Sequence, residues 1–163
     1  MTAGVSQTLP LDVALRQALG LHQAGRLSEA EDLYRAILQA HPSQADANQN
    51  LGVLAMQVGQ HAGAMPYLKT ALAINPAQGQ YAQSYAEALL ATGQPGEVLK
   101  VLQTAMEYGL DTPAAKALRQ RAEAALNGTA KSTAPTPAEI SQLVTLFNTG
   151  RNAELESRAR LLV

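Results

Sequence analysis

Residues 51–76 read LGVLAMQVGQHAGAMPYLKTALAINP and contain the features that decide the fold. The stretch reads as two helices joined by a turn at Gly59. A glycine fits the left-handed conformation at a helix C-terminus, where a side chain would be strained. Pro76 cannot continue a helix and therefore ends the second one. The stretch predicts a helical hairpin.

The same features recur with a period of 34 residues. Gly25, Gly59 and Gly93 keep this spacing, and so do Pro42 and Pro76. Three further sets share the register: Ala30, Ala64 and Val98; Tyr34, Leu68 and Leu102; and Ile37, Ala71 and Ala105. A single hairpin cannot bury its apolar stripe alone, so repeated hairpins must stack. The period predicts an all-α protein built from stacked antiparallel helix pairs.

This pattern resembles the tetratricopeptide repeat (TPR) family. Residues 45–78 are the best copy, with the Leu-Gly pair Leu51 and Gly52 followed by Gly59, Ala64, Leu68, Ala71 and Pro76. The resemblance implies a right-handed α-solenoid, the TPR-like superhelix, whose concave groove binds a peptide or partner protein. We expect the small residues Gly52, Ala18 and Ala86 to let the first helix of each pair approach its partner closely.

The register divides the chain into repeats and flanking segments. We expect helices at 11–24, 28–40, 44–58, 61–74, 78–92 and 95–108. The predicted units are a tail at 1–10, repeats at 11–44, 45–78 and 79–110, a capping helix at 113–127, a linker at 128–136, and an incomplete fourth hairpin at 137–163. Ser28 with Glu31 predicts a capping box, and Thr112 before Pro113 predicts a helix start.

The last hairpin is predicted from Thr136 and Glu139, which form a second capping box, and from the turn Gly150. The sequence stops before its second helix would normally end. We therefore expect a piece of a longer protein; the alternative is a short natural helix. Exposed apolar side chains at this end would allow homo-oligomers through a swapped C-terminal hairpin or through Leu161, Leu162 and Val163.

Composition excludes several classes of function. The chain has no Cys, and 12 Lys and Arg balance 13 Asp and Glu. Cysteine-ligated metals and thiol nucleophiles are therefore excluded, and a nucleic-acid or anionic-membrane surface is not expected. The first residues lack a basic and an apolar segment, and no apolar run spans a bilayer. We expect a cytoplasmic protein with no nucleic-acid or membrane partner.

No pattern of catalytic or cofactor-binding residues occurs. The sequence lacks phosphate-binding glycine loops, nucleophile elbows and paired metal-binding histidines. His41 is expected near a helix end and His61 in an inter-helix turn, whereas the register places His22 on the inner side. We therefore predict no metal, no cofactor and no intrinsic enzymatic activity.

The register assigns candidate groove residues to the first helix of each repeat. These positions are mostly polar and uncharged, which suits an extended peptide backbone with unpaired N–H and C=O groups. They are Asp12, Arg16, Leu19, His22 and Gln23 in the first repeat; Gln49, Asn50, Val53, Met56 and Gln57 in the second; Gln80, Gln83, Ser84 and Glu87 in the third; and Arg121 in the capping helix.

A weaker resemblance leaves a second interpretation open. The stretch HQAGRLSEAEDLYRAIL at 22–38 and the stretch LFNTGRNAELESRARLL at 146–162 resemble bacterial TPR regions fused to O-GlcNAc-transferase-like glycosyltransferases. This resemblance implies that the chain is the substrate-recruiting arm of a larger enzyme whose catalytic part lies elsewhere. A free interaction scaffold and a self-association module are the other two interpretations.

Overall fold

The structure is a computed structural model that describes residues 9–133 and 137–148. Within these ranges the chain forms α-helices and no strand. The helices are α1 (Leu11–Gln23), α2 (Leu27–Ala40), α3 (Ala45–Gln57), α4 (His61–Ile74), α5 (Gly79–Ala91), α6 (Pro95–Glu107), α7 (Pro113–Thr133) and α8 (Pro137–Asn148). The predicted bounds of the first six helices agree with these to within one residue.

Helices α1 to α7 form two layers. Helices α1, α3 and α5 each pack on the even-numbered helix that follows, and α2, α4 and α6 each pack on the next odd-numbered one. Helices α1, α3, α5 and α7 also contact one another in order. By contrast, no Cα atom of α2, α4 or α6 comes within 8 Å of a Cα atom of another of these three helices. A stack curves toward its more closely spaced layer, so the odd-numbered helices lie on the concave side. The predicted all-α solenoid of antiparallel pairs is confirmed.

Local signals in the sequence set the turns between helices. Gly25, Gly59 and Gly93 have φ values of 74°, 78° and 74°, as the repeat pattern predicts. Because this left-handed region strains residues that carry a Cβ atom, glycine is favoured at each of these three turns. Thr112 accepts a hydrogen bond from the backbone N–H of Ala115 at 3.1 Å, which confirms the predicted start of α7.

Small residues bring the paired helices together. Ala18 and Ala86 are fully buried. A Cβ atom on Gly52 would lie 2.5 Å from Leu68 Cγ and 2.6 Å from Leu68 Cδ2, both on α4. The prediction that Gly52 permits a close helix approach is confirmed. The buried residues form three clusters that follow one another along the stack, as expected when each hairpin covers the next.

Three local predictions need correction. Ser28 makes no cap, because α2 begins one residue earlier and Arg26 forms an ion pair with Glu29 at the helix start. His61 is the first residue of α4 instead of a turn residue. Helix α7 continues to Thr133, so residues 128–133 of the predicted linker are helical. The glycine at 128 does not interrupt this helix.

The predicted fourth hairpin lies only partly within the described residues. Its first helix is present as α8. Residues 134–136 and 149–163 lie outside the described ranges, and with them the second capping box at Thr136, the turn Gly150 and the apolar end Leu161, Leu162 and Val163.

Candidate functional site

The candidate groove residues lie on α1, α3, α5 and α7, which together form the inner layer. Those exposed to solvent are Asp12, Arg16, Leu19, Gln23, Gln57, Gln80, Glu87 and Arg121, and those half-buried are His22, Asn50, Val53, Met56, Gln83 and Ser84. Most of the candidate residues predicted from the sequence therefore have side chains that a ligand can reach. Gln49 is the exception.

Hydrogen bonds between neighbouring inner helices occupy several of these polar side chains. His22 Nε2 lies 2.9 Å from Gln57 Oε1, which joins α1 to α3. Gln49 Nε2 donates to Ser84 Oγ at 2.6 Å, which joins α3 to α5. The separation in sequence is 35 residues in both pairs. The period of 34 and a shift of one residue bring these side chains face to face.

A third bond with the same separation involves a residue that the sequence analysis did not select. Tyr81 OH donates to Asp46 Oδ1 at 2.5 Å, and Tyr81 is 4% exposed. Burial, followed by the bond to Asp46, raises the pKa of Tyr81 above its ordinary value. A search for donor and acceptor pairs 35 residues apart would have found this pair.

Gln49 is not an open groove residue, and this part of the prediction is wrong. Its side chain is 2% exposed and is held between α3 and α5 by Ser84. Its Oε1 atom is buried and has no hydrogen-bond partner among the described residues. Burying an unpaired amide oxygen costs free energy, so Gln49 joins two repeats at a local penalty and does not meet solvent.

Two regions of the inner layer differ in polarity. Val53 and Met56 pack on the edge of the buried cluster of Ala55, Ala64, Leu68 and Ala88, and Leu19 is 39% exposed on the neighbouring helix. All three are apolar side chains on the inner helices α1 and α3. By contrast, Asn50 and Gln83 are half-buried amides without a described hydrogen bond between side chains.

Few charges lie on the inner layer. Arg16 Nη2 lies 2.8 Å from Asp12 Oδ2 on the same helix, and both side chains are largely exposed. Such an exposed pair contributes little to stability, but it partly neutralises the guanidinium. Glu87 and Arg121 are exposed farther along the stack. The inner face therefore has no dominant sign of charge.

The described residues provide no other recognisable kind of site. No group of three or more His, Cys, Asp or Glu side chains could hold a metal ion within residues 9–133 and 137–148. Among the helices of these ranges, none combines the length and apolar character needed to cross a membrane.

Comparison with known proteins assigns the repeats. Residues 55–122 match the family model described as tetratricopeptide repeat. This part of the chain is similar to tetratricopeptide repeats. Toward the amino terminus, outside the matched residues, α1 and α2 both pack on α3, as α3 and α4 pack on α5.

Solved TPR domains share this fold. The first TPR of Spaghetti (RPAP3), bound to the HSP90 peptide SRMEEVD, superposes with a TM-score of 0.67 at 19% identity and covers 72% of this chain and 93% of that chain. The TPR domain of Sgt2 from Aspergillus fumigatus has a TM-score of 0.70 at 15% identity, covering 83% and 91%. At these identities the likeness establishes the fold alone.

One similar structure comes from a larger enzyme. The O-GlcNAc transferase of Thermobaculum terrenum has a TM-score of 0.62 at 25% identity, covering 75% of this chain and 23% of the transferase. This chain therefore corresponds to less than a quarter of that protein. No curated protein matches the chain by sequence.

Proposed function

We propose that the chain is a non-catalytic interaction module that binds an extended segment of a partner protein along α1, α3, α5 and α7. The observation that carries this proposal is the inner layer itself. The odd-numbered helices contact one another and present an accessible row of apolar and amide side chains. The TPR fold and the peptide named for Spaghetti (RPAP3) support the same mode of binding.

Asn50 and Gln83 are the side chains best suited to hold a peptide backbone. An amide group both donates and accepts, so it satisfies either kind of main-chain polar group. Gln49 and Ser84 already bond to each other, and Gln57 contacts His22. Asn50 and Gln83 have no such described partner, and both are half-buried, which restricts their motion before a ligand binds.

The ligand is expected to be neutral or weakly charged, with an apolar side chain opposite Leu19, Val53 and Met56. An acidic carboxyl-terminal peptide needs a cluster of cations. Here Arg16 is paired with Asp12, and the other arginine among the candidate residues, Arg121, lies on α7. We therefore expect SRMEEVD, the peptide bound by Spaghetti (RPAP3), to bind this chain weakly or not at all.

The proposal is tested with peptides selected from a phage-displayed library on the purified chain. Their affinity for the double variant Asn50→Ala and Gln83→Ala is then measured by calorimetry. We expect a loss of about tenfold or more, since two hydrogen bonds are removed. The matched control is Gln39→Ala with Gln103→Ala, because these glutamines are exposed on the outer helices α2 and α6.

Two results would contradict the inner-face assignment. One is an unchanged affinity of the inner double variant while its helical circular dichroism is also unchanged. The other is an equal loss in the control variant on the outer helices. Either result would mean that the peptide does not bind along α3 and α5.

A second candidate function follows from the similarity to the Thermobaculum terrenum enzyme. In this alternative, the same inner face recruits protein substrates to a glycosyltransferase domain of the parent protein. The similarity in fold at 25% identity over 75% of this chain favours it. Determining the sequence encoded downstream of Val163 tests it, because a glycosyltransferase domain must follow in the same reading frame. Further repeats would favour the free scaffold, and a reading frame that ends without such a domain would exclude this alternative.

A further inference from the structure

A cavity of about 150 Å³ lies where α2, α3 and α4 meet, between the two outer helices. Its apolar wall comes from α3 and the following turn: Leu51, Leu54, Ala55 and Val58. Its polar rim comes from both outer helices and the same turn: Glu31, Arg35, Gln60 and Tyr67, with Gly63 beside them. The cavity is thus apolar on one side and able to form hydrogen bonds on the other.

The polar rim is organised by Arg35. Its Nε and Nη2 atoms donate to Glu31 Oε1 at 2.9 and 2.7 Å, and its Nη1 atom donates to Tyr67 OH at 3.5 Å. The guanidinium therefore spans from α2 to α4 at the mouth of the cavity. Its side chain remains 51% exposed, so a group that enters the cavity can still accept a hydrogen bond from it.

The equivalent place in the next repeat, the junction where α4, α5 and α6 meet, indicates what this cavity can hold. Thirty-four residues later, Tyr85 stands in the position of Leu51, and Glu97 stands in the position of Gly63. Tyr85 is half-buried against two hydrophobic clusters. Burial and the nearby Glu97 carboxylate raise the pKa of its hydroxyl. At that junction a phenol ring and a carboxylate are in place, whereas Leu51 and Gly63 are too small to supply them.

The volume of the cavity agrees with this comparison. An apolar protein cavity of about 150 Å³ holds a benzene ring. The polar rim adds partners for one hydroxyl group on such a ring. We propose that this cavity binds the tyrosine side chain of a partner protein, with the ring against Leu51 and Leu54 and the hydroxyl at Arg35. The site forms a second contact surface, separate from the inner face.

The first experiment uses p-cresol, the isolated side chain of tyrosine, and toluene, which lacks the hydroxyl. Titration of the ¹⁵N-labelled chain followed by NMR is expected to give saturable shifts at the amides of the residues that line the cavity. Toluene is expected to bind less tightly because it leaves the rim unpaired. The absence of saturable shifts, shifts confined to other parts of the chain, or tighter binding of toluene would overturn the proposal.

A pair of glycine variants localises the binding. Gly63→Met directs a side chain into the cavity, and the nearest atoms to a Cβ there are 3.8 Å away, so the variant is expected to fold. We expect it to weaken p-cresol binding by about tenfold or more. The control is Gly96→Met on α6, where a Cβ meets nothing within 4 Å, and it should keep the original affinity. Unchanged binding by Gly63→Met would overturn the assignment.

A final measurement separates a protein tyrosine from a free phenol. N-acetyltyrosinamide carries the same ring on a peptide backbone, and it should bind within about tenfold of p-cresol. If p-cresol binds and N-acetyltyrosinamide does not, the cavity accepts free phenols only and the proposal fails. None of these outcomes bears on peptide binding at the inner face, which Asn50 and Gln83 test independently.

Discussion

The replacement of Gly52 by alanine measures how much stability the close approach of α3 and α4 requires. Alanine favours a helix interior over glycine by about 1 kcal/mol, so propensity alone predicts a more stable protein. Packing predicts the reverse. The added Cβ would lie 2.5 Å from Leu68 Cγ, well inside the 3.5–4.0 Å at which carbon atoms pack.

The clash cannot be relieved by moving a side chain into solvent, because Leu68 is fully buried. Either Leu68 leaves its rotamer or the two helices separate, and overpacking of this kind costs about 1–3 kcal/mol. After the gain in propensity of about 1 kcal/mol is subtracted, we expect a net loss of about 0–2 kcal/mol for Gly52→Ala. A larger side chain such as leucine should cost more.

Gly63→Ala provides the matched control. Gly63 is an exposed helical glycine on α4, and the atoms nearest to a Cβ there are 3.8 Å away. Only helix propensity acts at this position, so the variant should gain about 0.5–1 kcal/mol. The free energy of unfolding is measured by urea titration of the helical circular dichroism for both variants and the original chain. The two variants are expected to differ by about 0.5–3 kcal/mol, with Gly63→Ala the more stable.

A double-mutant cycle identifies the atoms responsible. Leu68→Ala removes the two carbons that the new Cβ would meet, at a cost of about 2–5 kcal/mol for the lost burial. In that background, Gly52→Ala should become stabilising, which gives a coupling of about 2 kcal/mol between the two sites. Additive effects, or a Gly52→Ala variant as stable as Gly63→Ala, would refute the packing argument and the register on which it rests.

Three further outcomes are expected. Ser84→Ala should lower the free energy of unfolding by about 1–3 kcal/mol because it leaves the buried Gln49 amide without its partner. Gln49→Met should be nearly neutral, and equal urea midpoints for the two variants would contradict this expectation. Burial raises the pKa of Tyr34 from 10 to about 12. Because the hydroxyl of Tyr34 ionises first in the unfolded chain, its contribution to stability should be complete below pH 10 and be lost between pH 10 and about 12; urea titrations across this range should show a smaller fall for Tyr34→Phe. Gly93→Ala should lose about 1–2 kcal/mol, since φ is 74° there, and Gly93→Asn should lose less; thermal unfolding of both variants checks the order.

Much of the fold could be predicted because its signals are local. The glycine turns, the helix start at Thr112 and Pro113, and the proline breaks each depend on the conformation of one or two residues. The prediction of a capping box at Ser28 is wrong because the nearby Arg26 and Glu29 form an ion pair at the start of α2. The prediction of a linker at 128–136 is wrong for residues 128–133, because the composition permits helix as well as loop and α7 continues to Thr133.

The inner face could be predicted only in outline. The period assigns each candidate to the correct helix and, for most of them, to accessible positions. It does not reveal that Gln49 and Ser84 face each other, because that depends on a shift of one residue between neighbouring hairpins. The cavity beside Leu51 has the same origin, since its volume is what remains after three helices have packed.

The sequence by itself determined that 34-residue helical hairpins stack into a solenoid, because backbone strain at glycine, the missing N–H of proline and the burial of apolar stripes act within each repeat. Only the tertiary structure decided which polar side chains join the repeats and which remain for a partner. That choice depends on distances between residues 35 positions apart, and these distances exist only after the hairpins have packed against one another.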